Sequence, residues 1–104
     1  MKKHKEYIER SDLKDATHLE VSVYYSNGGT NFYNGGMIPR GYYLSITPVT
    51  KGNGSVSFTM FSGYSHLLLQ TQRYTDKQFD RAVDLAGEHR ESLIAKVVEK
   101  NKAA

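Results

Sequence analysis

The sequence has no cysteine and only two prolines. Without cysteine there are neither disulfides nor thiolate metal ligands, which favours a reducing compartment such as the cytoplasm. No apolar run approaches the roughly 20 residues that a membrane-spanning helix needs. The basic start from Lys2 to Lys5 is not followed by the apolar segment of a signal peptide. We therefore expect a cytoplasmic protein.

Acidic residues are missing from the whole stretch between Val21 and Thr75. Three basic residues lie there (Arg40, Lys51 and Arg73), whereas 11 basic and 11 acidic residues balance in the rest of the chain. The whole formal net charge of +3 is thus assigned to the predicted sheet, in the middle of the sequence. Localised positive charge favours an anionic partner. The alternative is that strands simply disfavour Asp and Glu.

Signatures of catalysis and of metal binding are lacking as well. There is no Gly-x-Ser-x-Gly elbow, no cysteine nucleophile and no phosphate-binding glycine loop. The four histidines are scattered, with no pair four residues apart. Carboxylates at 76, 80, 84 and 88 share one side of a predicted helix, but Lys77 and Arg81 interleave with them, which indicates a solvated face. We expect no enzyme, no cofactor and no metal site.

Two strands joined by a glycine turn organise the middle of the chain, from Arg40 to Phe61. Residues alternate in character on both sides of Gly52-Asn53-Gly54, as is typical of a β-hairpin. The face opposite the core is rich in serine and threonine and is the predicted functional surface. The predicted core face consists of Tyr42, Leu44, Ile46, Val56, Phe58 and Met60.

Further elements flank this hairpin on both sides. Thr17 to Ser26 alternates as a strand, and 66–72 is a short apolar run that indicates another. A glycine-rich loop, 27–39, lies between the first two strands. Thr75 and Gln78 fit a capping box that opens a helix running to about Lys100. Residues 1–15 are expected to form a flexible basic arm. The alternative is that this arm binds a phosphate backbone.

These elements predict an α+β fold, in which a four-stranded antiparallel meander is covered on one face by a long C-terminal helix. The predicted organisation is a flexible arm over 1–15 and one domain over 16–104, with the sheet in 17–72 and the helix in 75–100.

The predicted helix is longer than a four-stranded sheet is wide. It must either kink at Gly87 or carry its second half beyond the sheet. The apolar residues of that half would then need another partner, and a second copy of the chain is the obvious one. The predicted homodimer interface consists of Leu93, Ile94, Val97 and Val98.

Aromatic rings on the serine- and threonine-rich face, together with positive charge, form a plausible surface for stacking single-stranded bases. Two alternatives stay open: a partner protein or the N-terminal arm could cover this face, or the tyrosines could be cross-strand pairs that only stabilise the sheet. The predicted stacking residues are Tyr24, Tyr43 and Phe61, and the predicted phosphate contacts are Arg40, Lys51 and Arg73.

The runs from Gly28 to Tyr33 and from Pro39 to Val49 resemble small uncharacterised proteins of conjugative and other mobile elements of gut bacteria. The similarity covers about the middle half of the chain and continues faintly into Leu67–Leu69. This resemblance implies a setting and no activity. Separately, four antiparallel strands followed by one long helix are similar in order to the PC4-like fold, which binds single-stranded DNA and dimerises through its helices.

The sequence as a whole therefore predicts a non-enzymatic protein that binds nucleic acid, single-stranded DNA or RNA first, in the maintenance or regulation of a mobile element. The alternative is a protein–protein interaction module, an accessory or inhibitor protein that uses the same sheet face or the 27–39 loop. Steep weakening of binding by salt would distinguish the first from the second.

Overall fold

A computed structural model of the protein describes residues 2–30, 36–58 and 65–103. Over these ranges an antiparallel sheet packs against one long C-terminal helix, which confirms the predicted α+β class. The elements are β1 (His4–Glu9), β2 (His18–Ser26), β3 (Gly29–Thr30), β4 (Met37–Ile38), β5 (Gly41–Gly52), β6 (Ser55–Phe58), β7 (Ser65–Gln70) and α1 (Asp76–Ala103).

The 12-residue strand β5 is the centre of the sheet. It pairs with β2 along one edge, and β1 pairs with the far side of β2. Along its other edge, β5 pairs with β6 only from Val49 to Gly52, so that its first half is left for β7. The described sheet therefore has five strands and departs from a simple meander, because β7 returns to β5 and not to β6. The predicted glycine turn joins β5 and β6, with Gly54 at a φ of 76°.

The N-terminal segment differs from the predicted flexible arm. His4–Glu9 forms β1 and pairs with β2 over all six of its residues. The backbone groups of β2 on that edge need partners, and β1 supplies them. Beyond the strand, the Arg10 N–H donates to the Thr17 carbonyl at 3.1 Å. Arg10 to Thr17 is thus a turn that is held at both ends.

The core lies between the helix and the inner face of the sheet. That face presents alternate side chains of β2 and β5, and α1 packs on it with residues at helical spacing. No helix among the described residues is both long enough and apolar enough to cross a membrane. The largest fully buried side chains of this core include Leu19, Val23, Tyr42, Leu44, Ile46 and Val97.

The predicted dimer contacts on the helix require a correction. Leu93, Ile94, Val97 and Val98 are at most 7% exposed within a single copy of the chain. The helix continues through Gly87 as one 28-residue element, and its second half stays on the core. Ile8 and Leu13, from the segment predicted to be flexible, pack against this core. These four side chains are therefore buried without a second copy of the chain, and a homodimer stays a prediction without an assigned surface.

The start of the helix is held by two side chains. Thr75 Oγ1 accepts the Gln78 N–H at 3.1 Å, as predicted for an N-cap residue. The remaining part of the predicted capping box is replaced. The Thr75 N–H donates to the hydroxyl of the buried Tyr42 at 3.0 Å, and the same hydroxyl donates to the Thr75 carbonyl at 3.2 Å. Tyr42 thereby ties the central strand to the first turn of α1.

An acid-sensitive ion pair lies in the turn after β1. Arg10 donates to both carboxylate oxygens of Asp12, at 2.8 and 2.7 Å. This hydrogen bonding is the main cause that lowers the pKa of Asp12 from 3.8 to about 2. A carboxyl group whose pKa is lower in the folded state contributes stability above its unfolded pKa, and this contribution is lost as the pH falls through the folded value.

We expect Asp12→Asn to remove part of the acid sensitivity of the fold. Between pH 4 and pH 2 the wild type should lose stability more steeply than the variant, while the difference between them should be constant above pH 5. Urea titrations followed by circular dichroism at fixed pH values measure this directly. Parallel curves for the two proteins across the acid range would contradict the expectation.

Candidate nucleic-acid interface

The face of the sheet that points away from the helix is called the open face here. Strand alternation and register place side chains from all five strands of the sheet on it. The prediction that Val56 lies on the core face is wrong, because Val56 pairs with Lys51 and so lies on the open face; Met60 lies outside the described residues. The open face comprises Lys5, Tyr7 and Glu9 of β1, His18, Glu20, Ser22 and Tyr24 of β2, Tyr43, Ser45, Thr47, Val49 and Lys51 of β5, Val56 of β6, and His66 and Leu68 of β7.

Two of the predicted stacking residues are cross-strand neighbours. Tyr24 lies directly opposite Tyr43 in the β2–β5 register, with ring centres 5.9 Å apart and planes inclined by 21°. Tyr43 is only 3% exposed, and its hydroxyl donates to the Pro39 carbonyl at 2.7 Å. Burial also raises the pKa of Tyr43. Tyr43 therefore supports the ring of Tyr24 and is not available to a base.

The surroundings of Tyr43 and the position of Phe61 limit how many of the predicted stacking rings a base can reach. The edge of the His66 ring contacts Tyr43, with centres 5.7 Å apart, so Tyr43 is enclosed by both neighbouring strands. Phe61 lies outside the described residues. Of the three predicted rings, the half-buried Tyr24 is the one that the described structure leaves for stacking.

The predicted cations do not form one patch. Arg40 precedes β5 and Lys51 lies near its end, so the strand separates them by roughly 35 Å. Lys51 Nζ is 4.8 Å from the centre of the Tyr7 ring, which is a cation–π contact within the sheet. Arg73 follows β7, whose last residue pairs with Tyr42, and therefore lies at the Arg40 end. Two of these cations thus share one end of the sheet and the third lies at the other.

The open face also carries acidic residues, contrary to the expectation that the positive charge excess belongs to the sheet. The Glu20 side chain is 11% exposed, and its Oε1 lies 3.9 Å from Lys5 Nζ. Burial, a hydrogen bond to Glu20 and the charge of Glu20 raise the pKa of Tyr7. Glu9 comes to this face with β1. The stretch without acidic residues begins at Val21, just after Glu20. Such a stretch also does not show which residues a distant edge strand brings to the same face of the sheet.

A basic concavity of about 350 Å³ lies where β1 begins, and we call it the lysine concavity. It forms because His4 pairs with Val23, so Lys3 and Lys2 continue beside the last residues of β2. The Lys2 N–H donates to the Tyr74 hydroxyl at 2.7 Å, which fixes the start of the chain there. The residues that line the concavity are Lys2, Lys3, Lys5, Ser22, Tyr24 and Tyr25.

The three lysines were not among the predicted site residues. The sequence did contain a signal for them, the basic cluster at the start of the chain. Contact of this cluster with a phosphate backbone was the alternative prediction for residues 1–15. What sequence reasoning missed was their neighbour, because only the β1–β2 pairing brings these lysines to Tyr24.

The glycine-rich loop begins and ends as a small ribbon. Gly29–Thr30 pairs with Met37–Ile38, and residues 31–35 lie outside the described part of the chain. Gly28 has a φ of 84°, and a Cβ there would lie 2.8 Å from the Ile38 carbonyl oxygen, so glycine is required. Met37 is 77% exposed on this ribbon.

In the ranges that the structure describes, no three His, Asp or Glu side chains are grouped as metal ligands. Comparison of the chain with protein families, with curated protein sequences and with solved structures finds no match. The resemblance to proteins of mobile elements therefore stays a prediction, and the geometry alone carries the functional argument.

Proposed function

We propose that this protein binds single-stranded nucleic acid at the lysine concavity and across the adjoining end of the open face. The observation that supports this is the grouping of Lys2, Lys3 and Lys5 around Tyr24. Lysines supply the salt-dependent contacts to phosphates. An aromatic ring supplies a stacking surface for an unpaired base, worth about 1–3 kcal/mol. Neither contact requires an active site, and the proposed function is non-enzymatic.

The charges on the face indicate the path of the strand. Glu20 borders the concavity, with its Oε1 3.9 Å from Lys5 Nζ, and Glu9 lies farther along β1. Both carboxylates repel phosphates. The nucleic acid is therefore expected to cross the sheet at the Lys2–Lys5 end and to leave the middle uncovered. With a single stacking ring, the dissociation constant should fall in the range of about 10⁻⁴ to 10⁻⁶ M that is typical of non-specific binding.

The cellular setting belongs to the same proposal. The resemblance of the middle of the chain implies the maintenance or regulation of a mobile element, and the lack of cysteine is typical of a cytoplasmic protein. A homodimer would place two lysine concavities on one strand and raise the apparent affinity through effective concentration.

The test is fluorescence anisotropy with a short labelled single-stranded oligonucleotide at several salt concentrations. Three phosphate contacts predict a slope of log K against log salt of about −2. The triple variant Lys2→Gln/Lys3→Gln/Lys5→Gln should abolish most of this slope. Tyr24→Ala should weaken binding at least about fivefold through lost stacking, and Glu20→Gln should strengthen it about twofold.

A matched triple variant on the helix controls for net charge. Lys77→Gln/Lys96→Gln/Lys102→Gln removes the same three charges from exposed positions of α1, away from the open face. We expect it to bind almost as the wild type does, with the fold of every variant checked by circular dichroism. Equal losses in the two triple variants would show that binding follows overall charge, and the proposed site would then be rejected.

A protein–protein interaction module is the second candidate, and the exposure of Met37 favours it. A methionine that is 77% exposed beside a glycine-rich ribbon offers an adaptable apolar contact. Under this function Met37→Ser would abolish partner binding, and that binding would change little with salt. Under the preferred function Met37→Ser leaves oligonucleotide affinity unchanged.

A further inference from the structure

We propose that a groove between β1 and α1 is a binding site for a small apolar carboxylate, a molecule with one ring or a short chain. The groove has a volume of about 210 Å³ and its floor is made by Val21, Val23 and Leu44 of the inner sheet face. It shares no lining residue with the lysine concavity, and it belongs to the opposite side of the sheet. The inference is therefore independent of nucleic-acid binding.

The groove follows from the way the helix crosses the sheet. α1 packs on β5, β7 and β2, while the ion pair between Glu6 and Arg90 reaches from β1 across to the helix. Beneath this ion pair, β1 and α1 diverge, and the side chains of β2 between them form the floor. The groove therefore lies at the edge of the core, on the side of the helix that faces β1.

Gly87 leaves one position on the helix side of the groove without a side chain. It lies near the middle of a 28-residue helix and lines the groove. Glycine weakens a helix interior relative to alanine. A Cβ at Gly87 would meet nothing within 4 Å, so no described neighbour requires the missing side chain. What the glycine preserves is the open width of the groove.

The volume limits the size of the ligand. A cavity of 150 Å³ accepts benzene, and pockets for drug-sized molecules begin at about 300 Å³. The groove lies between these limits. Its floor of valine and leucine, with Val83 and Ala86 on the helix side, offers no polar partner to the body of the ligand.

The rim determines the head group. Two basic residues, Arg90 and His4, line the rim together with one acidic residue, Glu6. The Glu6 contact engages a single nitrogen of Arg90, Nη1, whereas a guanidinium carries five N–H donors in a fork that matches a carboxylate. A ligand with an apolar body and a carboxylate head matches both the apolar floor and the Arg90 guanidinium. The ammonium group of an amine in the same position would be repelled by Arg90.

The test is a titration of the full chain with benzoate, followed by methyl resonances in ¹H–¹³C NMR spectra. We expect saturable shifts of the Val21, Val23, Leu44 and Val83 methyl groups. Benzylamine should produce none of them, and Arg90→Gln should remove the preference of the site for benzoate over benzyl alcohol.

Blocking variants decide whether the groove is the site. Gly87→Leu projects a side chain into it and should weaken benzoate binding at least about tenfold, since overfilling a packed site is unfavourable. Ala95→Leu adds the same side chain two turns farther along α1 and should leave binding unchanged. Val83→Phe is a second blocking variant from the preceding turn, should Gly87→Leu not fold.

Three results would overturn the proposal. The first is the absence of methyl shifts at saturating benzoate in the folded wild type. The second is undiminished binding in folded Gly87→Leu or Val83→Phe. The third is a response confined to the side-chain CH2 resonances of Lys2, Lys3 and Lys5 in the same ¹H–¹³C spectra, which would place the benzoate in the lysine concavity.

Discussion

Replacement of Asn101 by alanine is expected to lower the free energy of unfolding by about 2 kcal/mol, because two part-buried hydrogen bonds are lost, each contributing roughly 0.5–1.5 kcal/mol. Asn101 is 0% exposed in the last turns of α1. Its Oδ1 accepts the Lys14 N–H at 2.5 Å, and its Nδ2 donates to the Lys14 carbonyl at 3.3 Å. One side-chain amide thereby binds both polar groups of one backbone residue, 87 positions away. Urea denaturation followed by circular dichroism measures the loss.

The neighbouring Lys102→Ala is the control for this prediction. Lys102 is exposed in the same turn, so its truncation should change stability by no more than about 0.5 kcal/mol. A loss below about 1 kcal/mol for Asn101→Ala would contradict the prediction, since it is what one ordinary hydrogen bond contributes. It would mean that the turn between β1 and β2 holds its place on the helix without this contact.

Tyr42→Phe is expected to lower the free energy of unfolding by about 2 kcal/mol, since the variant deletes one hydroxyl that makes two part-buried hydrogen bonds. The ring of Tyr42 is fully buried, and the shape of the core is unchanged by the substitution. What is lost is the double hydrogen bond to the N–H and carbonyl of Thr75. The first turn of α1 should fray, which amide exchange at Gln78 and Phe79 reports.

Tyr74→Phe is the matched control, because it deletes a hydroxyl one residue before the N-cap. That hydroxyl accepts the Lys2 N–H and donates to Asp76, and both contacts are exposed to water. Exposed hydrogen bonds exchange readily with solvent, so we expect a loss of about 0.5 kcal/mol. Equal effects of the two variants would show that the buried position of Tyr42 gives its hydroxyl no special weight.

The elements that could be predicted from the sequence are those whose signals are local. Alternation over two residues identified β2 and β5, the glycine turn identified the hairpin, and Thr75 marked the start of the helix. In each case the deciding contacts lie within a few residues of one another. Local patterns therefore carried the fold class.

The N-terminal strand could not be predicted because its pattern carries little apolar character. Of the residues that β1 turns towards the core, Ile8 is the apolar one, while His4 and Glu6 line a polar rim. Such a strand forms because the edge of β2 offers it backbone partners and not because it has a core of its own. The residues that favour this strand are therefore those of β2, in another part of the sequence.

The helix and the candidate site were affected by the same omission. With 1–15 treated as free, the predicted sheet had four strands, and the helix had either to kink at Gly87 or to carry Leu93 and Val97 beyond the sheet to a second copy of the chain. The basic residues assigned to the site were likewise taken from the middle of the sequence, whereas Lys2 and Lys3 are the ones that stand beside Tyr24. Both the cover of the helix and the position of the lysines depend on the pairing of the N-terminal strand. A single sequence gives no local signal for pairing between distant segments.

The contact between Lys14 and Asn101 joins the two ends of the chain, and this has a consequence for the order of events during synthesis. Segments so far apart in sequence meet late, because closing a long loop costs entropy before any contact compensates for it. While the last turns of the helix are still being translated, the Lys14 backbone lacks the side-chain amide of Asn101, and the apolar side of the growing helix is incompletely covered. The nascent chain can form its central hairpin early, but its final closure waits for the residues around Asn101.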